Sequence, residues 1–312
     1  MKETITILLP VYNDNESLQM ILQDIGRLDT GILKNISIVI VNDGSTDLSI
    51  KKINAETDIS IIHLNRNLGH QKAIAIGLSY IKENSRDTTV IVMDSDGEDR
   101  VQDIPLLLEA NKKNSSAIFF ARRKRRTNGL TFKVFYYLYK FSFYLLTGKK
   151  ISFGNFSIIP YPALCRAVFY TDIWYNYPGG IMKSGLPYKV IPANRGERYA
   201  GRSKMNFSSL LLHGFGAIAV FLERIIIRVA IVSFLLILVS VIAIISIFII
   251  RTTTNMAIPG WASTLGTSMF IILLTSFIIS LIAIFTYLTT QSKREFIPAL
   301  HYRDYILQTE TI

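Results

Sequence analysis

The sequence predicts an α/β protein: a mostly parallel sheet with helices on both faces, followed by two transmembrane helices. Three observations predict it. Short β-branched runs alternate with helix-like stretches through the first 121 residues, the pattern of strands joined by helical crossovers. Residues 229–250 then form an unbroken uncharged run of 22, and residues 252–290 are uncharged as well. About 20 apolar residues suffice to cross a bilayer. Finally, only 18% of the residues are charged, against about 25% in an ordinary soluble domain, so part of the chain lies out of water.

Residues 4–9 (TITILL) read as a buried strand, followed by a helix near 16–28. Residues 36–41 (ISIVIV) make a second strand and lead into a helix from about Thr46. A short third strand spans 59–63, with a helix over 68–83. The fourth strand, 88–93 (TTVIVM), precedes a helix opening near Asp103-Ile104-Pro105, where proline suits the first turn. Residues 116–121 (SAIFFA) make the fifth. Residues 131–146 carry many aromatics and two lysines; they read either as a helix lying on the bilayer surface or as a core helix.

Residues 268–289 can form the second span, with Pro259 and Gly260 in the connecting turn and Trp261 placed as an interfacial anchor. Between Arg228 and Lys293 the only charge is Arg251, whereas Arg224, Arg228, Lys293 and Arg294 flank the hairpin. The positive-inside rule therefore expects both hairpin ends in the cytoplasm. The start of the chain has an apolar run too short for a signal-peptide core, which fits a cytoplasmic N-terminus at the plasma (inner) membrane. The expected organisation is a cytoplasmic domain over 1–223, a transmembrane hairpin over 224–292 and a cytoplasmic tail over 293–312.

The formal net charge of +11 suits an anionic partner. No nucleic-acid-binding module is recognisable, and membrane-facing basicity explains the charge. The single cysteine, Cys165, excludes an internal disulfide framework and a cysteine-based zinc site. In open parallel sheets, ligands bind beyond the carboxyl ends of the strands, and here those ends are strongly polar. Strand one ends in Pro10-Val11-Tyr12-Asn13-Asp14, strand two in Asn42-Asp43-Gly44-Ser45, strand four in Asp94-Ser95-Asp96-Gly97-Glu98-Asp99, and strand five in the basic run Arg122–Arg126. Neither GxGxxG nor GxxxxGK[ST] occurs, so dinucleotide and P-loop chemistry are not indicated. Asp94 and Asp96 are hard oxygen ligands two apart at a strand exit. Mg²⁺ or Mn²⁺ suits such ligands and bridges to substrate phosphates.

Five segments then carry a family resemblance: LLPVYNDNESL (8–18), IVIVNDGSTD (38–47), NRNLGHQKAIAIGL (65–78), VIVMDSDGED (90–99) and ERYAGRSK (197–204). In this order, followed by a membrane hairpin, they resemble the GT-A glycosyltransferases of family 2, and among them the polyprenyl-phosphate glycosyltransferases of the dolichol-phosphate mannose synthase and bactoprenol glucosyltransferase type. The resemblance covers nearly the whole chain. It implies a metal-dependent enzyme that transfers a hexose from a nucleotide sugar, by default UDP-glucose, to a polyprenyl phosphate such as undecaprenyl phosphate, with inversion at the anomeric centre.

Residue by residue, the resemblance implies that Pro10, Tyr12 and Asp14 line the nucleotide pocket and that Asp43 accepts a hydrogen bond from the base. Asp94 and Asp96 are its DxD pair at the metal and diphosphate, with Glu98 near the same metal. Arg123 and Arg126 match its RxxR after strand five, and Arg198, Ser203 and Lys204 match its RxxGxSK segment, which contacts phosphate groups near the membrane. The family's GDFRL segment stands here as Gly154-Asn155-Phe156-Ser157, so an amide occupies the position of an Asp proposed as a base in some relatives. A homo-oligomer is compatible with this reading. The competing reading is a processive polysaccharide synthase or another lipid glycosyltransferase with a different acceptor; the former calls for more helices and a QxxRW-type motif, which the sequence does not contain.

Overall fold

The computed structural model describes residues 4–28, 31, 36–46, 58–123, 130–149, 153–200, 214–253, 260–292 and 296–312. The elements are, in order, β1 (Thr4–Val11), α1 (Asn15–Gly26), β2 (Ile36–Asn42), β3 (Asp58–Leu64), α2 (His70–Asn84), β4 (Thr88–Val92), α3 (Ile104–Lys113), β5 (Ile118–Arg123), α4 (Leu130–Thr147), β6 (Ser157–Ile159), α5 (Tyr161–Ala167), α6 (Tyr177–Ser184), β7 (Tyr188–Ala193), α7 (Leu222–Thr253), α8 (Trp261–Ser292), α9 (Pro298–His301) and β8 (Ile306–Thr311). All five expected strands form within two residues of their expected starts. The helix expected from Thr46 falls largely outside the described residues.

The chain divides into two units. The first comprises Met1–Tyr139, Lys150–Val220 and Glu295–Ile312; the second comprises Lys140–Lys149 and Phe221–Arg294. In the first, eight strands build one sheet in the order β7-β5-β6-β4-β1-β2-β3-β8. The β1–β2, β1–β4, β2–β3 and β5–β7 pairs are parallel. Strand β6 runs antiparallel to both β4 and β5, and β8 antiparallel to β3. Alternation along each strand divides the core between the two faces. Leu8, Val41 and Ile62 pack with Ala73, Ile74 and Ile81 of α2 on one side; Ile7, Leu9 and Ile40 pack with Leu18, Ile21 and Leu22 of α1 and Ile104 of α3 on the other. Both faces are therefore covered, as a parallel sheet requires.

One expected boundary is corrected. Residues 293–312 were expected to form a separate tail, but the described part, 296–312, completes the first unit. Strand β8 pairs with β3 from Ser60↔Thr311 to Leu64↔Ile306. Tyr302 is buried in the core beside α2, and its hydroxyl donates to Glu83, which also pairs with Arg303. The rings of Phe296 and Tyr305 lie 4.1 and 5.2 Å from that of Trp174. Because β8 is polar along most of its length (ILQTET), it carries no alternating apolar signal that would mark a strand in the sequence.

The second unit is built on α7 and α8, two 32-residue helices whose stretches Leu222–Thr253 and Trp261–Thr290 are long and apolar enough to cross a membrane. Most of their Ile, Leu and Phe side chains face outward, while Ile226, Ser233 and Ser240 of α7 and Ser276 and Ala283 of α8 are buried. These buried positions recur every seven residues. A seven-residue repeat keeps one narrow seam of each helix against its neighbour, and small residues let helix backbones approach closely in lipid. At the start of α7, the Arg228 guanidinium donates to the Leu145 carbonyl at 2.7 Å, and Phe221 meets Phe143 edge-on.

If the post-hairpin segment is integral to the sheet, Tyr302→Ala should cost about 3 kcal/mol, the usual loss for a large buried ring. A fall in the thermal unfolding midpoint of the purified full-length protein, with α7 and α8 intact by circular dichroism, is the expected result.

Candidate active site

The carboxyl ends of β1, β2 and β4 lie side by side because these strands are parallel neighbours. Strand β6 runs the other way, so the residue that enters it, Asn155, arrives at this same edge. The segment after β7, residues 194–200, closes the edge from the far side.

Asp43 directly follows β2 and is buried; its Oδ1 accepts the Leu68 N–H at 2.7 Å and its Oδ2 the Gly69 N–H at 2.9 Å. Burial pushes its pKa up, and the two N–H groups partly offset this. The carboxylate expected at the nucleotide base thus also clamps the loop that enters α2. Gly44 follows with φ of +72°, and a β-carbon there would lie 2.8 Å from the Asn67 nitrogen; only glycine fits beside that loop. Asn13, at φ of +46°, ties the β1 exit to this turn: its side-chain oxygen accepts the Thr46 N–H, and its own N–H donates to the Ser45 hydroxyl oxygen.

Asp94 and Asp96 leave β4. The Asp94 N–H donates to Oδ2 of the fully buried Asp99 at 2.9 Å, and the Ser95 hydroxyl donates to the Pro10 carbonyl at 3.0 Å, locking this exit to that of β1. The Asp94 Oδ1 lies 3.0 Å from His70 Nε2 and accepts from Asn155 Nδ2 at 3.3 Å. Asp96 accepts the Glu98 N–H on Oδ1 and Arg198 Nη1 on Oδ2, both at 3.0 Å. Desolvation and the charge of Asp94 together raise the Asp96 pKa. Desolvation opposes a charge on His70, but the fields of Asp94, Asp96 and Asp99 prevail and raise its pKa.

Arg198 bridges two strand exits, reaching Asp96 and, with Nη2, Asp14 at 2.5 Å; its Nε donates to the Ala200 carbonyl. The neighbouring residues stitch the same segment down. Arg195 pairs with Glu98, the Gly196 N–H donates to the Glu98 carbonyl, the Tyr199 N–H donates to the Asp96 carbonyl, and the Tyr199 hydroxyl donates to Asp24. Gly97, at φ of +87°, leaves the space that the Tyr199 ring fills.

The expected residues divide accordingly. Pro10, Tyr12, Asp14, Asp43, Asp94, Asp96, Asn155 and Arg198 converge on this edge, with Tyr12 half-exposed. Arg198, expected at a phosphate group, is held here by two carboxylates. Glu98, expected near the metal, turns to Arg195, and among the described residues no group of three His, Cys, Asp or Glu side chains is placed to hold a metal ion. Arg123 ends β5 opposite Ala193 of β7. Arg126, Ser203 and Lys204 lie outside the described residues. Sequence reasoning missed Gln71, Arg195, Tyr199 and Tyr177; of these, Gln71 and Tyr199 stand within quoted motifs, the GHQ at a helix start and the ERYAGRSK segment.

A family model described as glycosyl transferase family 2 matches residues 6–174, more than half of the chain. The chain belongs to glycosyl transferase family 2. Its sheet, carrying a carboxylate pair at the β4 exit, is the GT-A-like domain of that family. Among curated relatives, an uncharacterized glycosyltransferase, YkcC, of Bacillus subtilis is 27% identical over 272 residues, covering 83% of this chain and 80% of the relative. A bactoprenol glucosyl transferase of Shigella phage SfX is 26% identical over 230 residues, covering 71% of this chain and 74% of the relative. Among solved structures, mannosyl-3-phosphoglycerate synthase from Rubrobacter xylanophilus superposes with a TM-score of 0.50 at 16% identity, covering 71% of this chain and 74% of that one, which is a likeness of fold.

The glycosyltransferase edge depends on Asp43 for its shape. Asp43→Ala would leave two backbone N–H groups without their acceptor. It should destabilise the protein by about 3 kcal/mol and open the 65–69 loop to proteolysis, measured by thermal unfolding and limited digestion.

Proposed function

We propose that this family 2 enzyme transfers a hexose from a nucleoside diphosphate sugar to a polyprenyl phosphate at the cytoplasmic face of the plasma membrane. The observation that carries the reading is the position of β8. The sheet is interrupted in sequence by the α7–α8 hairpin and completed after it. One sheet cannot straddle a bilayer, so both hairpin ends belong on the face where the carboxylate edge lies, and the charge pattern favours the cytoplasm for that face. A site kept at the membrane suits an acceptor whose phosphate stays at the interface while its isoprenoid tail is in lipid. The extended match to a bactoprenol glucosyl transferase supports the same acceptor class.

A divalent metal, Mg²⁺ or Mn²⁺, fits Asp94 and Asp96. Both are oxygen ligands, their charges crowd one another, and a cation of this kind is held by one or two carboxylates plus substrate phosphates. When bound, it would neutralise the charge that develops on the leaving diphosphate. The chain's own residues do the rest. Asp14 and Arg198 hold the β1 and β4 exits at a fixed spacing, and Asp43 sets the loop that enters α2. Asn155 places an amide, which cannot take up a proton at neutral pH, where a general base would stand. An alcohol acceptor would need that base. A phosphate monoester, with a second pKa of about 6, presents an already anionic oxygen at pH 7.

Two outcomes check this. Asp96→Asn should abolish transfer by the folded enzyme, and EDTA should do the same to wild type; full activity of folded Asp96→Asn in metal-free buffer would overturn the metal assignment. With undecaprenyl phosphate and a panel of nucleotide sugars, mass spectrometry should detect a glycosyl phospholipid, and the rate should rise through about pH 6 with the ionisation of the phosphate and then flatten. Equal transfer to a neutral polyprenol would overturn the acceptor class.

A further inference from the structure

Asn155 departs from the acidic residue expected at its position, and its surroundings dictate which way its amide points. The chain of reasoning starts at a group that can only donate. The backbone N–H of Tyr177, the first residue of α6, donates to Gln71 Oε1 at 2.6 Å. Gln71 must therefore present its Nε2 on the other side, where it donates to Asn155 Oδ1 at 3.1 Å. Asn155 is turned in consequence: its oxygen faces Gln71, and its NH₂ faces Asp94 Oδ1 at 3.3 Å, with His70 Nε2 3.0 Å away and able to accept only in the neutral tautomer whose Nε2 carries no proton. A second arm reaches the backbone of the same residue. The Ser157 hydroxyl donates to the Asn155 carbonyl at 2.9 Å, so it accepts from the Tyr177 hydroxyl at 2.7 Å. Gln71, Asn155, Ser157 and Tyr177 are all buried, which makes a wrongly directed amide costly.

The geometry points to Gln71 as a positioning residue of the donor site. It reads the fixed polarity of the Tyr177 N–H and passes it to Asn155, which then offers a donor to Asp94 and sets the orientation of that carboxylate. With Asn155 reversed, two acceptor oxygens would face each other across the 3.3 Å gap to Asp94. The inference rests on the reading of Asp94 as a ligand of the donor-site metal. It goes beyond that reading by tracing the orientation of Asp94 through Asn155 to Gln71.

The test is a double-mutant cycle on full-length enzyme in detergent. Mn²⁺ affinity is measured by titration calorimetry in the presence of UDP, with kcat and donor KM for transfer measured in parallel. Gln71→Met removes both ends of the relay, and Asn155→Ala removes its target. Each single variant should weaken Mn²⁺ binding about tenfold, the lower end of the loss seen when a partner of a metal ligand is removed. The double variant should be no weaker than Asn155→Ala alone. Losses that multiply in the double variant, or a Gln71→Met affinity within twofold of wild type, would overturn the inference while leaving the metal reading intact. If wild type itself binds no Mn²⁺, the metal reading falls and this inference with it. If Gln71→Met does not fold, Gln71→Glu goes through the same cycle. It keeps an acceptor for the Tyr177 N–H but offers Asn155 a carboxylate oxygen in place of a donor, so Asn155 should reverse and the same non-additive loss should appear.

Discussion

Negative charge gathered at one edge of the sheet is the constraint on which the rest of the site depends. Asp14, Asp43, Asp94, Asp96 and Asp99 come from three adjacent parallel strands, and the topology gives them nowhere else to go. They are compensated by three different means. Asp43 and Asp99 take backbone N–H groups, Asp94 takes His70 and the Asn155 amide, and Asp14 and Asp96 share one guanidinium. Carboxylates left uncompensated in such crowding would take up protons. The basic segment after β7 is thus part of the edge's electrostatic balance as well as its wall. Arg198 neutralises the Asp96 oxygen it holds and, through Asp14, joins that segment to the β1 exit.

Much of this was legible from the residues alone. The five principal strands announce themselves as β-branched runs, and their polar exits are contiguous with them, so Asp14, Asp43, Asp94 and Asp96 could be named without coordinates. Strands β6 and β8 could not. The first is only three residues long, and the second is polar nearly throughout, so neither carries periodicity. Gln71 and Tyr177 escaped for a different reason. Their importance lies in a contact across 106 positions of sequence, and a buried glutamine within a helix looks, in one dimension, like an ordinary helix former. The ion pair of Glu98 was not legible because Arg195, its partner, lies on a segment whose return to the β4 exit only the fold reveals.

The two departures from the family pattern at Asn155 and Ser157 make sense together. A carboxylate at 155 would face Asp94 with no donor between them, whereas the amide supplies one. A serine at 157 is small enough to stand between the Asn155 carbonyl and the Tyr177 hydroxyl and is satisfied by both. The pair therefore converts a position associated with proton abstraction into a fixed hydrogen-bond donor. That is consistent chemistry for an acceptor that arrives already ionised.

The pairing of β3 with β8 also orders the life of the chain in time. His63 and Gln308 are register partners, yet both long apolar helices are synthesised between them. Until that interval is complete, β3 is an edge strand with unpaired backbone groups, the kind of surface that recruits foreign strands. Its closure spans a long loop and is correspondingly slow to find by diffusion. Insertion of the hairpin into a membrane would return the two strands to the same side and shorten that search. The last strand of the sheet can thus join its partner only after both long apolar helices have been made.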